Sequence, residues 1–249
     1  MEQELSPLDM RRAMEDCEAL WRHTNPREEA RRLFAQAYAG FSAQVMALDD
    51  DPTGTQTVHD VDVLTSWDEE SLAQALAGEK RLFFVLTNSR SFSAEKTEAV
   101  HREIAQNALR AARRAGKELL VISRGDSTLR GHYPLETAVL RDTFAQESGA
   151  PFAGEVLCPF FREGGRFTMD GVHYVKEGET LVPAAQTEFA ADATFGYRHS
   201  YLPEYIEEKS GGRVRASQVY CITCKQLRSF ALDEMVQSLE ALEGYRYIV

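Results

Sequence analysis

Three short apolar runs in the first half of this chain each break off into a loop of Asp, Arg, Ser, Thr and Gly, and that repetition restricts the fold more than any other feature. Residues 44–48 (QVMAL) run into DDDPTGTQ, residues 81–86 (RLFFVL) into TNSRSFS, and residues 119–122 (LLVI) into SRGDSTLRGHYP. Between them the spacing turns helical. Leu72, Ala75 and Leu76 share one face of a helix over 67–78, and a longer helix runs from Ser93, a suitable N-cap, to Gly116, a suitable C-terminus. A small extra strand fits 60–64. Apolar strands alternating with amphipathic helices predict an α/β fold, a three-layer α/β/α arrangement with a mostly parallel sheet. Such sheets bind ligands outside the carboxyl ends of their strands.

The rest of the chain extends the pattern less regularly. A helix over 133–144 starts near Pro134, and a fourth strand at 155–158 (EVLC) leads into PFFREGGRFTMDGVHYV, where Asp170-Gly171 is a hairpin signal. Residues 176–215 read as irregular. Strands at 217–223 and 245–249 flank a helix at about 229–242. Ahead of the sheet, residues 8–40 form a helical N-terminal extension divided at Pro26, with Asn25 or Thr24 capping the second helix. Leu33, Phe34, Ala37, Tyr38 and Phe41 form the face expected to pack on the main body. The domain reading is therefore an extension over 1–42 and an α/β domain over 43–249. The last residues, YRYIV, stop inside an apolar strand, as in a chain cut from a longer protein.

Charge narrows the choice of ligand. A net charge of −11 leaves no basic face for nucleic acid or an anionic membrane, so a bound anion needs local, clustered arginines. The N-terminus lacks the apolar core of a signal peptide, and no apolar run reaches the ~18 residues of a membrane span; the expected location is the cytoplasm. Four cysteines are too few for a disulfide framework. Cys221 and Cys224 form a C-x-x-C whose β-branched and aromatic flanks suggest structural thiols in a buried strand and not at a helix N-terminus. Neither a second such pair nor a His pair completes a zinc site.

In one parallel sheet the four polar strand ends leave from the same edge. They carry Asp49, Asp50, Asp51, Thr53 and Gly54; Asn88, Ser89 and Arg90; Arg124, Asp126, Ser127, Thr128 and Arg130; and Arg162 and Arg166 with Gly164 and Gly165. Arginine forks match carboxylate or phosphate oxygens. Aspartates accept hydrogen bonds from ligand hydroxyls or take their protons, and glycines admit a ligand to the backbone. An acidic, polyhydroxylated small molecule fits both sets. Bland readings compete: a turn and cap for the three aspartates, a local ion-pair network for Arg124, Asp126 and Arg130, a surface arginine at 90, and structural or surface roles for His59 and His132.

The motifs ALDDDPTGTQ, LTNSRS, SRGDSTLRGH and PFFREGGR together resemble the N-terminal domain of the four-carbon acid sugar kinase family, which includes threonate, erythronate and 3-oxo-tetronate kinases. Its Asp-Asp-x-Thr-Gly is met by Asp50, Asp51, Thr53 and Gly54, and its Asp-Ser-Thr-Leu-Arg-Gly by residues 126–131, ending at Gly131. The resemblance starts at about residue 43 and omits the helical extension. It implies that this domain binds the sugar acid through Asp50, Arg90 and residues 126–130. ATP and Mg²⁺ would be held mainly by a C-terminal domain outside this chain, so that the 249 residues alone would not turn over. Asp51, Arg124, Gly131 and Arg166 join the expected substrate-binding set. In that scheme Arg90 and Arg130 hold the sugar carboxylate, and Asp50 or Asp126 orients the attacking hydroxyl or serves as base. Where many members have a second Asn-Asp-Thr-Gly, this chain has Gln56, Thr57, Val58 and His59, which touches substrate choice. A homodimer is compatible with this reading.

Two other functions fit parts of the pattern. Asp49-x-Asp51-x-Thr53 after a strand resembles the nucleophile and acid/base pair of a Mg²⁺-dependent haloacid-dehalogenase-like phosphatase, although no later strand supplies its further acidic pair. A non-catalytic module that only binds sugar acids is the third.

Overall fold

The computed structural model describes residues 5–22, 24–149 and 151–249, so residues 1–4 of the expected extension lie outside the described residues. In chain order the elements are β1 (Leu8–Asp9), α1 (Met10–Ala19), α2 (Pro26–Ala39), β2 (Gln44–Asp49), β3 (Asp62–Leu64), α3 (Glu69–Ala77), β4 (Leu82–Leu86), α4 (Ala94–Ala115), β5 (Leu119–Arg124) and α5 (Leu135–Ser148). They continue with β6 (Gly154–Val156), β7 (Arg166–Met169), β8 (Val172–Glu177), β9 (Thr180–Pro183), α6 (Leu202–Lys209), β10 (Val219–Tyr220), α7 (Cys224–Ser229), α8 (Leu232–Glu240) and β11 (Arg246–Ile248). The fold is α/β. Where the sequence suggests one domain over 43–249, the described residues divide into two compact units: one comprises those within 5–40, 127–130 and 153–249, the other those within 41–126 and 131–152.

The second unit is built on an all-parallel sheet in the order β3-β4-β2-β5, with Asp49 opposite both Leu86 and Arg124. One face of each strand is apolar at alternate residues, and it meets the helices. Met46 and Leu48 of β2 and Phe83 and Val85 of β4 pack with Leu72 and Leu76 of α3, Ile104 and Ala108 of α4, and Leu140 and Phe144 of α5. Burying each of the larger side chains stabilises the unit by about 1.5–3 kcal/mol. Three layers are the expectation for the domain as a whole; by itself this unit contributes two. Helix ends follow their local chemistry. Ser93 Oγ accepts from Lys96 N at α4, Asp68 caps α3, and Gly116 closes α4 with φ +63°.

In the first unit, β1-β9-β8-β7 form an antiparallel sheet. The expected hairpin at Asp170-Gly171 is present, with φ +46° and +80°, the sign that a two-residue hairpin turn demands. The fourth strand, β6, corrects an expectation: it lies outside the β2 sheet and pairs in parallel with β11 in a three-stranded sheet, β10-β11-β6. An apolar strand shows which faces it buries and not which neighbour it takes. Gly154 fits its place because a Cβ there would collide with the backbone of Arg246. The extension also departs from expectation in part. Leu8, Met10, Ala13 and Met14 pack with Phe167, Tyr174 and Leu181, whereas α2 buries no residue, its Phe34 and Tyr38 stacking on each other in the open.

Candidate functional site

Within the second unit, the carboxyl edge of β4, β2 and β5 gathers the expected loops after β2 and β4 with the start of the loop after β5, through Asp126. Its centre is Asp50. Arg90 Nε donates to Asp50 Oδ2 at 2.9 Å and Nη2 donates to Oδ1 at 2.6 Å, a two-pronged fork, while Nη1 reaches Asp51 at 3.4 Å. Main-chain bonds fix both partners: Arg90 N donates to Asp50 O and Asp50 N donates to Arg124 O. Asp50 is 3% exposed. Burial pushes its carboxyl up to about 6 against the pull of Arg90, with the charges of Glu136 and Asp49 adding to the rise. Gly125 and Gly131 present bare backbone to Asp50 Oδ2, and Gly131, at φ +149°, could not carry a side chain without strain.

Asp49 behaves differently from its neighbour. It is fully buried, with Oδ1 accepting from Arg124 Nη1 at 3.1 Å and Oδ2 lacking a hydrogen-bond partner. Gly54 lies directly over the pair; a Cβ there would overlap the carboxylate and the guanidinium. A phosphatase nucleophile must be reached by its substrate, and Asp49 is sealed under the loop. Asp51, by contrast, is held low by the Thr53 hydroxyl, which donates to it.

Beneath Arg90 lies a polar network that sequence reading missed. Ser89 Oγ donates to Glu136 Oε1 at 2.6 Å, Thr87 Oγ1 lies 3.1 Å from Ser89 Oγ, and Thr97 Oγ1 donates to Ser89 O. His101 Nδ1 donates to Thr97 O at 2.9 Å, leaving Nε2 3.6 Å from Glu136 Oε1. All five side chains are buried. The available signal was a glutamate and a histidine at positions whose helical neighbours are core residues.

Residues 127–130 belong to the first unit, where buried side chains bind successive carbonyls. His173 Nε2 donates to Ser127 O at 2.7 Å, Tyr197 OH to Thr128 O at 2.9 Å and Tyr205 OH to Leu129 O at 3.1 Å. Thr168 bonds the other ring nitrogen of His173. This over-determined mounting holds Leu129 at φ +66°, a conformation that an isolated leucine avoids. Arg130 Nε donates to Thr128 Oγ1, and the guanidinium lies 5.0 Å from the centroid of the Phe189 ring; Arg166 lies 5.7 Å from the same ring, with its buried Nε lacking a partner.

The expected site residues thus fall into two groups. Asp50, Asp51, Arg90, Arg124, Asp126 and Gly131 are in the second unit, with Asp126 acting on Arg90 through its charge. Ser127, Thr128, Arg130 and Arg166 are in the first. Arg90 does not stand open for a ligand carboxylate, because Asp50 fills two prongs of its fork. His132 bonds Phe92 O and His59 is exposed beside Asp60, both consistent with structural or surface roles. The C-x-x-C needs correction: Cys221 follows the two-residue β10, and Cys224 opens α7 behind the Thr223 cap. Burial nevertheless pushes the Cys224 thiol up to about 11, so it is a packed thiol and not an activated one.

A parallel sheet with a polar carboxyl edge is the architecture of a small-ligand binder. The model of a family described as the sugar-binding N-terminal domain matches residues 45–249, and the chain belongs to that family. Among solved structures it is similar to a domain of unknown function (DUF1537) from Bordetella bronchiseptica, a domain-swapped dimer with bound citrate, at 21% identity and a TM-score of 0.56 over 82% of this chain and 46% of that one. A putative tRNA synthase from Salmonella typhimurium LT2 follows at 17% identity and TM-score 0.53, covering 84% of this chain and 48% of the other. A Haemophilus influenzae DUF1537 protein gives 12% and 0.52, covering 82% and 47%. At these identities the likeness shows the fold; this chain spans about half the length of each. No curated protein matches significantly. Among the described residues, no helix is long and apolar enough to cross a membrane.

Proposed function

We propose that this chain is the substrate-binding part of an ATP-dependent kinase acting on a four-carbon sugar acid of the threonate, erythronate or 3-oxo-tetronate type. The observation that carries the reading is Asp50: a buried carboxyl at the carboxyl edge of a parallel sheet, aligned by an arginine fork and titrating near 6. A group with that affinity for protons is suited to accept one from a sugar hydroxyl near neutral pH. Arg90 already gives two prongs of its fork to Asp50, so its part in this reading is to align that carboxyl. In this reading Mg²⁺ and the ATP phosphates are held mainly by residues outside this chain, as the resemblance implies, and no step here runs through them.

Calorimetry of the 249-residue chain with threonate and erythronate, with and without ATP, tests the reading. Binding of a sugar acid without binding of ATP supports it. Binding of ATP with no sugar acid overturns it.

A further inference from the structure

Glu136 is a buried carboxylate without a task in the proposed chemistry. It projects from the first turn of α5 and accepts a 2.6 Å hydrogen bond from Ser89, the residue before Arg90. The turn over residues 89–91 follows Asn88, which sits at φ +55°, and the turn is pinned by Thr87, Thr97 and Glu136. A buried acidic group is costly to the fold unless it is hydrogen-bonded or paired, and here Ser89 and His101 face it.

We propose that Glu136 is a positioning residue for the Asp50–Arg90 pair, holding through Ser89 the turn that carries Arg90 and placing a second buried negative charge near Asp50. This inference rests on the proposed role of Asp50 for its functional meaning but not for its test. Around Asp50 the charged groups are Arg90 on the turn after β4, Asp49 on β2, Asp51 in the following loop and Glu136 from α5. Arg124 of β5 pairs with Asp49, Asp126 acts on Arg90, and His101 of α4 faces Glu136. Of these, Glu136 is the one that can lose its charge while its hydrogen bond to Ser89 is retained: Glu136→Gln keeps the Oε1 acceptor. Ligand binding that requires ionised Asp50 then has an acid limb that the charge of Glu136 moves upward, beside the larger effects of burial and Arg90.

The test follows the side-chain carboxyl of Asp50 by carbon NMR in the ligand-free chain. In Glu136→Gln the Asp50 titration midpoint should fall by about half a pH unit or more. A midpoint equal to that of the parent overturns the charge role. Ser89→Ala, which leaves the glutamate in place, should speed exchange of the Arg90 Nε proton with solvent about tenfold as the turn loosens; unchanged exchange overturns the tether. Sugar-acid calorimetry on the same proteins separates the two readings. Should the parent bind no sugar acid while the Glu136→Gln midpoint falls, the proposed function fails and the role of Glu136 stands.

Discussion

Residues 49–51 with Arg90, in one unit, and residues 127–130, in the other, are both polar segments held in place, but by opposite means. The first is fixed by charge: each buried aspartate leans on an arginine, and Asp50 ionises only at a cost. The second is fixed by neutral donors. His173, Tyr197 and Tyr205 satisfy backbone carbonyls, an arrangement that lowers the free energy of the fold at any pH where the histidine keeps its bonds. The difference teaches that the Asp50 edge responds to protons where the carbonyl mounting is built from neutral donors, and that this edge weakens the fold where the mounting strengthens it.

Stability against pH should break or sustain that contrast most forcefully. The folded Asp50 carboxyl, near 6, lies above its ordinary 3.8, so the native state binds its proton more tightly than the unfolded chain does. The stability this group contributes is fully present below about pH 4 and lost as pH rises through about 6. Relative to Asp50→Asn, the parent should therefore lose about 2 kcal/mol between pH 4 and 7 in urea unfolding; a flat difference curve would remove the charge argument. Arg90→Ala comes next. It leaves Asp50 buried without its fork and should cost about 2–3 kcal/mol at pH 8, less at pH 5 where Asp50 holds a proton, with sugar-acid affinity falling about a hundredfold by calorimetry.

Smaller effects sharpen the comparison. Gly54→Ala, forcing a methyl group into the Asp49–Arg124 pair, should destabilise by about 2 kcal/mol in the same unfolding assay. His173→Phe strips Ser127 O of its donor and should cost about 1–2 kcal/mol. Tyr197→Phe and Tyr205→Phe should each cost about 1 kcal/mol, with the loss equal at pH 6 and pH 8. A strong pH dependence in either tyrosine variant would show that the mounting is electrostatic after all.

Much of this was legible in the chain. The alternation of apolar runs and amphipathic helices predicts the parallel sheet. Ser93 and Gly116 mark the ends of α4, and Asp170-Gly171 marks the hairpin, because caps and turns are local chemistry. The strands that end at 48, 86 and 122 do share one parallel sheet, although residues 127–130 of the third loop belong to the other unit. Adding the loop after 158 failed because β6 found β11 instead. Arg90 read as an open ligand fork for the same kind of reason: its partner, Asp50, lies 40 residues away.

For this protein the sequence by itself determined which residues are polar at the strand ends and which backbone turns are forced, since these follow from side-chain period, capping and glycine geometry. Tertiary structure alone decided that Asp49 is sealed while Asp50 is poised, that Glu136 stands under Arg90, and that side chains 46 to 76 residues away hold the carbonyls of 127–129. Desolvation depends on everything packed around a group, and a backbone carbonyl accepts from any donor brought near. No pattern local to the chain records either.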